Sequence, residues 1–334
     1  MDLKYDLPLY LFKLFSVLPD NNNLDFIMKK KTISEISALW KEDKKQYVKR
    51  STYSLYVLIL ENHILPAFGE LYELDEKTVQ EFIFHEISSG LSNKTIKDIL
   101  IVLKMIMKFG AKNKFIEYQV WDTKFPTERE KQELEVLSIC NQKKLMKFIN
   151  ENFTFKNLGI YICLSAGLRI GEICALAWND IDVDAGVIYI RKTIERIYIV
   201  EGKDRHTELI IGTPKTKNSI REIPMTGDMV KMIKPLKKVV NEHFFVLTNE
   251  DKPVEPRIYR NYYNKLMRKL DIPKLKFHGL RHSFATRCIE SNCDYKTVSV
   301  ILGHSNISTT LNLYVHPNME QKKKCIDKMF KAIR

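Results

Sequence analysis

The sequence predicts a mainly α-helical chain of two domains, the second carrying a small antiparallel β-sheet. Three observations lead there. At 334 residues the chain has room for two cores, since domains usually run to about 100–200 residues. Apolar residues recur at helical spacing through the first third and again towards the C-terminus. Between these stretches lie short, β-branched, alternating segments of strand character.

The elements follow in order. Residues 1–31 form an N-terminal tail ending in the basic run "MKKK", Met28 to Lys31. Residues 32–117 read as a helical domain of about four helices. In "STYSLYVLILENHILPAFG" a helix stops near Pro66. In "SNKTIKDILIVLKMIMKFG", Ile96, Ile99, Leu100, Leu103, Ile106 and Met107 share one helical face, with Ser92 or Asn93 as start and Gly110 as end. Residues 118–135, polar and without strong periodicity at first, read as a linker. Residues 136–334 make the second domain. It opens with helices, passes through "AGVIYIRKTIERIYIV", "TELIIGTPKTK" and "SIREIPM" as strands, and returns to helix from about Met229. "NMEQKKKCIDKMFKAI" closes it as an amphipathic helix.

Composition narrows the function. Lys and Arg exceed Asp and Glu by 13, which favours a polyanionic partner, nucleic acid before an anionic membrane. The chain has no apolar run of about 18 residues, and Asp6, Pro8 and Lys13 interrupt the apolar N-terminal stretch. The expectation is a cytoplasmic protein of a bacterial cell, nucleoid-associated when bound, with no membrane partner. Cys140, Cys163, Cys174, Cys288, Cys293 and Cys325 show no C-x-x-C spacing, mostly lie in apolar surroundings and read as buried thiols in a reducing compartment.

Three motifs carry chemistry. In "HGLRHSFATR", His278, Arg281 and His282 fall at i, i+3 and i+4, on one helical face. The H-x-x-x-H spacing would admit zinc. The hydrolytic version needs a Glu where Gly279 stands, and Arg281 would oppose the cation, so neither a metal nor any other cofactor is expected. The same face can instead present an anion with a guanidinium that forks two hydrogen bonds and an imidazole that moves a proton. In "SAGLRIGEICAL", Gly167 supplies a turn and Arg169 opens a helix, an end that repels a cation unless an anion is shared there. Glu172 is placed to orient Arg169. In "LGHSNISTTLNLYVHP", Gly303 and His304 stand ten residues ahead of Tyr314.

Arg169, His278, Arg281, His304 and Tyr314, in that order and within those motifs, resemble the tyrosine recombinase (phage integrase) family. The resemblance spans about residues 140 to 325, and the helical region before it is similar in layout to the family's SAM-like core-binding domain. It implies that residues 136–334 are a catalytic domain ending in an exchange helix. It also implies a site-specific DNA recombinase in which Tyr314 attacks a phosphodiester to give a 3′-phosphotyrosine. Arg169 and Arg281 would hold the non-bridging oxygens. His278 would assist proton transfer at the tyrosine, and His304 would donate to the phosphate. The family's catalytic lysine falls in "TPKTKNSIREIPM", where Lys215 matches the pattern better than Lys217. The implied partners are double-stranded DNA with an inverted-repeat site, a homotetramer on two such sites, and in some systems an accessory DNA-bending protein. Two alternatives stay open: a catalytically inactive DNA-binding protein of the same fold, and a type IB topoisomerase.

Overall fold

A computed structural model describes residues 30–127, 135–201, 204–214, 216–314 and 319–333. The chain divides into two compact units between Thr127 and Glu128. Among the described residues no helix is long and apolar enough to cross a membrane.

The first unit is all helix: α1 (Ile33–Lys45), α2 (Arg50–Ile59), a π turn (Leu60–Ile64), α3 (Leu65–Phe68), α4 (Glu76–Ser88) and α5 (Asn93–Lys112). Thr32 starts α1 through a capping box: its hydroxyl accepts from Glu35 N, while the Glu35 carboxylate accepts from Thr32 N at 2.9 Å. Helix α5, capped by Ser92, buries the apolar face its spacing predicts. The helical path ends at Phe68, just past Pro66 as expected; a π turn over Leu60–Ile64 precedes the proline and runs straight into α3. One expectation needs correction. Gly110 lies inside α5 instead of ending it; Ile116 and Ile36 pack where its side chain would stand.

The expected linker is shorter than 118–135. Trp121 is buried in the first unit's core and donates from Nε1 to the Leu74 carbonyl at 3.1 Å. Gln80 exchanges two hydrogen bonds with the backbone of Lys124, and Asn93 donates to the Pro126 carbonyl. Apolar burial and backbone pairing therefore strap residues 118–127 onto the helices.

The second unit opens with α6 (Ile139–Glu151), α7 (Phe155–Ala166) and α8 (Ile170–Ala175). The strand-like segments form two sheets, where one was expected. Strands β1 (Ile181–Asp182), β2 (Val187–Ile190) and β5 (Arg221–Pro224) pair antiparallel in the order β1-β2-β5, while β3 (Thr193–Glu201) and β4 (Asp204–Gly212) make a separate hairpin. Pairing breaks at Arg191 and Lys192, after which β3 runs against β4 alone. Helices α9 (Gly227–Lys237), α10 (Pro256–Lys269), α11 (His278–Glu290), α12 (Tyr295–Leu302), α13 (Ile307–Tyr314) and α14 (Met319–Ala332) complete the unit. Its core gathers Ile162 from α7, Ile173 from α8, Trp178, Ile188, and Tyr259 and Tyr263 from α10. Tyr262 donates to Asn157 Oδ1 at 2.7 Å, whereas Tyr295 is exposed. Along α14 the apolar Met319, Ile326, Met329 and Phe330 are exposed; the Cys325 side chain lies outside the described part. Cys163 and Cys174 are buried as expected, but Cys140, in the first turn of α6, and Cys293, in the turn before α12, are exposed.

Candidate active site

The site is built where two helices end in glycine. Helix α7 stops at Gly167 (φ 65) and α12 at Gly303 (φ 66), each in the left-handed conformation that other residues adopt only with strain. A side chain at Gly167 would also strike Phe284 and Leu302, and one at Gly303 would strike the Asn218 carbonyl. These two turns release the carbonyls that hold Arg281. Its Nη1 donates to Gly167 O at 2.8 Å and its Nη2 to Leu302 O at 2.6 Å. Carbonyls at helix C-termini carry partial negative charge, so a buried guanidinium is stabilised between them. Burial first, and Arg169 second, lower the Arg281 pKa to about 9, which leaves it charged at neutral pH.

Arg169 caps the start of α8, one residue earlier than a first-turn position. Its backbone N–H donates to Glu172 Oε2 at 2.9 Å, and its Nη1 to Glu172 Oε1 at 2.8 Å. Its Nη2 reaches Gly303 O at 3.3 Å, so the guanidinium bridges the two turns. Glu172 is itself held from the other side. Arg221, on β5, donates from Nη1 and Nη2 to both carboxylate oxygens at 2.9 Å, from Nε to Ile301 O at 2.6 Å, and from Nη1 to Ser219 O at 3.1 Å. Burial alone would raise the Glu172 pKa; the hydrogen bonds and charge of Arg221, then those of Arg169, overcome it and lower the pKa below the ordinary carboxylate value. Two guanidiniums thus hold one carboxylate, Arg281 adds a third positive charge nearby, and the surplus calls for an anion.

His304 follows Gly303, and its Nδ1 lies 2.8 Å from Thr310 Oγ1. With Nδ1 accepting from that hydroxyl, the ring proton sits on Nε2. Burial, then Arg281 and Arg169, push the His304 pKa down to about 4, so the ring is neutral at pH 7. Arg169, Glu172 and His304 line an open cleft of about 390 Å³ together with Glu195, Pro214 and Thr216. Pro214 and Thr216 flank Lys215, which lies outside the described residues. Lys217 opens a 3₁₀ turn (Lys217–Ser219), but its side chain is not among those described.

Tyr314 ends α13 and is buried against Ala285, Val298 and Leu302. Its hydroxyl lies 2.5 Å from His282 Nδ1. Burial raises the Tyr314 pKa, and Arg281 and Arg169 pull it back in part. The imidazole at the tyrosine is therefore His282, where His278 was expected. His278 stands one helical turn earlier, its ring edge-on to His282 at 4.6 Å. Burial first, then His282, Arg281 and Arg169, push the His278 pKa down to about 4. Among the described residues no three His, Cys, Asp or Glu side chains gather as a metal-ligand set.

Sequence reasoning missed two members. The spacing of "HGLRH" puts His282 on the face of His278 and Arg281 but does not show that it meets Tyr314. Arg221 was read only as part of a strand, although the alternation of "SIREIPM" puts it on the inward face beside Ile223. A charge on the apolar face of a strand was the available signal.

Comparison with known proteins covers both units. The sequence profile of the phage integrase family matches residues 135–321, and that of the phage integrase N-terminal SAM-like domain matches residues 32–85. A protein described as tyrosine recombinase XerC-like, from Caldanaerobacter subterraneus subsp. tengcongensis, is 29% identical over 271 residues, covering 75% of this chain and 69% of that one. The ICEBs1 integrase of Bacillus subtilis is 25% identical over 300 residues, covering 84% of this chain and 78% of its own. The Tn1549 transposon integrase, solved in complex with transposon right end DNA, superposes with a TM-score of 0.74 at 22% identity over 90% of this chain and 99% of that one. A lambda integrase tetramer bound to a Holliday junction gives 0.61 at 16% identity, over 87% and 80%. At these identities the two structures speak for the fold.

Proposed function

The chain belongs to the phage integrase family, and we propose that it is a site-specific DNA recombinase that cuts and rejoins strands through a 3′-phosphotyrosine on Tyr314. One observation carries the reading: three motifs far apart in sequence bring Arg169, Arg281, His304 and Tyr314 to one surplus of positive charge beside an open cleft. A scissile phosphate seated there meets the guanidinium of Arg169 and the Nε2 proton of His304. The field of Arg281 adds to both. Donors fixed in advance around a developing charge are each worth a few kcal/mol of barrier, and no reorganisation is needed as the transition state forms. Tyr314 attacks phosphorus, and the bond to the 5′-oxygen breaks. The phosphotyrosine keeps the bond energy until another 5′-hydroxyl reverses the step.

Assembly follows from the same reading: four subunits on two inverted-repeat DNA sites, with α14 exchanged between neighbours. The exposed apolar residues of α14 support exchange. A lambda integrase has been solved as a tetramer on a Holliday junction.

Lys215 is the proposed acid for the departing 5′-oxygen, supported by its place between the two cleft residues Pro214 and Thr216. An alkoxide is a poor leaving group, its conjugate acid having a pKa on the order of 15. A sulfur in that position leaves as a thiolate, with a pKa of about 8.5, and needs no acid. The DNA site is first selected from a random-sequence duplex pool by binding. On that duplex Lys215→Ala should cleave normal DNA very poorly and a 5′-bridging phosphorothiolate nearly as well as wild type. Arg169→Ala should fail on both. Rescue in Lys217→Ala with full activity in Lys215→Ala would move the role to Lys217. The selected sites, paired, should recombine; relaxation of any supercoiled plasmid without pairing would instead mark a topoisomerase.

A further inference from the structure

We propose that His282 is the group that takes the proton from Tyr314 as the tyrosine attacks phosphorus. The inference rests on Tyr314 being the nucleophile, and it adds a residue to the reaction. The tyrosine oxygen needs a proton acceptor within hydrogen-bond reach, because a phenol of ordinary pKa about 10 is mostly protonated at pH 7. Among the described residues one imidazole stands there, His282 Nδ1 at 2.5 Å, with the two rings 5.6 Å apart and inclined at 53°. His278, on the same helix, meets His282 edge-on and not the tyrosine.

The position of Tyr314 fixes this contact. Ala285, Val298 and Leu302 pack around Tyr314, and its hydroxyl meets His282 of α11. An acceptor must also be neutral before the reaction. Burial, then Arg281, lower the pKa of His282, so its ring is uncharged at pH 7, and in the tautomer protonated at Nε2 its Nδ1 accepts from the phenol. The charged and titratable groups around it are His278 and Arg281 on α11 and Tyr314 on α13. Arg169 and Glu172 lie beyond and act on His278 and Arg281.

The same burial makes the transfer uphill in the free protein, from a phenol of raised pKa to an imidazole of lowered pKa. Bound DNA acts on both groups alike, so the transfer is driven by the bond forming to phosphorus, which lowers the proton affinity of the tyrosine oxygen as it attacks. The step then balances. The Tyr314 O–H proton passes to His282 Nδ1 while the Tyr314 oxygen bonds to phosphorus. The bond from phosphorus to the 5′-oxygen breaks, and that oxygen takes a proton from the proposed acid, Lys215. In rejoining, the incoming 5′-hydroxyl returns its proton to the lysine, and the departing phenolate recovers its own from His282.

The test is single-turnover cleavage of a nicked form of the selected duplex, which traps the protein–DNA adduct, measured across pH. His282→Asn keeps an acceptor near the Nδ1 position but does not carry a proton. At pH 7 it should cleave roughly 10²–10⁴ times more slowly than wild type, the range expected for loss of general-base assistance. Its rate should climb about tenfold per pH unit as phenolate forms without help, so the deficit shrinks with rising pH. Wild type should instead level off once His282 is neutral. DNA binding and the melting midpoint of the variant should match wild type. A His282→Asn rate within about threefold of wild type, or a deficit equal at every pH, overturns the assignment. So does His282→Ala cleaving faster than wild type, which would make the contact a latch on the resting tyrosine. If wild type itself forms no adduct, or Tyr314→Phe still forms one, the reading of Tyr314 fails first.

Discussion

Two arginine–carboxylate forks in the second unit share a geometry and differ in surroundings. Arg221 grips Glu172 at 2.9 Å through both oxygens, with side-chain exposures of 4% and 2%. Arg196, on the β3–β4 hairpin, grips Glu255 at 2.7 and 2.9 Å, with exposures of 41% and 18%. The exposed fork ties a hairpin to the residue that caps α10, and Thr207 shares the arginine. The buried fork sits behind the cleft and fixes Arg169. A buried ion pair is an expensive way to stabilise a fold, since apolar side chains of similar size often do as well or better. Its value here is positional: Arg221 joins the turn that bears Arg169, the loop before β5 and the end of α12, through Glu172, Ser219 and Ile301.

The largest effect should come from breaking the buried fork. Arg221→Ala leaves Glu172 buried with half its partners, and a loss of about 3–5 kcal/mol in unfolding free energy is expected from denaturant titration. The double variant Glu172→Met, Arg221→Met should regain much of that stability while cleavage of the selected duplex stays impaired. Recovery of cleavage together with stability would reduce the fork to packing.

An intermediate effect should appear with pH. His278 and His304 are held near pKa 4 in the fold against about 6.5 in the unfolded chain. The unfolded state therefore binds more protons in that window, and stability should fall as pH drops from 6.5 towards 4. Glu172 adds its loss lower down. Its folded pKa is depressed, so its contribution is present above the unfolded carboxylate value and is lost as pH falls through the folded one. His304→Gln should flatten the upper part of the acid melt and leave the lower part unchanged. An upper limb unmoved in that variant would remove His304 from the cause.

The smallest effect belongs to the exposed fork. Arg196→Ala should shift the melting midpoint slightly at low salt and not measurably at high salt, because solvent and ions screen such a pair. A salt-independent loss as large as that of Arg221→Ala would dissolve the contrast between the two forks.

How far the sequence could be read follows the same division. Arg169, Arg281, His304 and Tyr314 were legible because each sits in a short motif whose spacing is local. Helical periodicity in α5 was legible for the same reason. The roles of Arg221 and His282 were not, because they depend on docking across the fold. Glu172 lies 49 residues from Arg221, and Tyr314 lies 32 from His282. The histidine that meets the tyrosine is chosen by how α13 packs on α11, which no spacing within "HGLRH" decides. Likewise Gly110 looked like a helix end because the close approach of Ile36 and Ile116 is tertiary. The strap at Trp121 looked like linker because one buried aromatic carries it.

The central proposal is that Tyr314 is the residue that attacks a phosphate held by Arg169 and His304, and one measurement tests it most directly. The nicked duplex is incubated with wild type and with Tyr314→Phe, the trapped adduct is digested, and the DNA-linked peptide is identified by mass. The expected result is a linkage at Tyr314 in wild type, none in Tyr314→Phe, and equal binding of the duplex by both. A linkage at another residue such as Tyr295, or an adduct that persists in Tyr314→Phe, would contradict it.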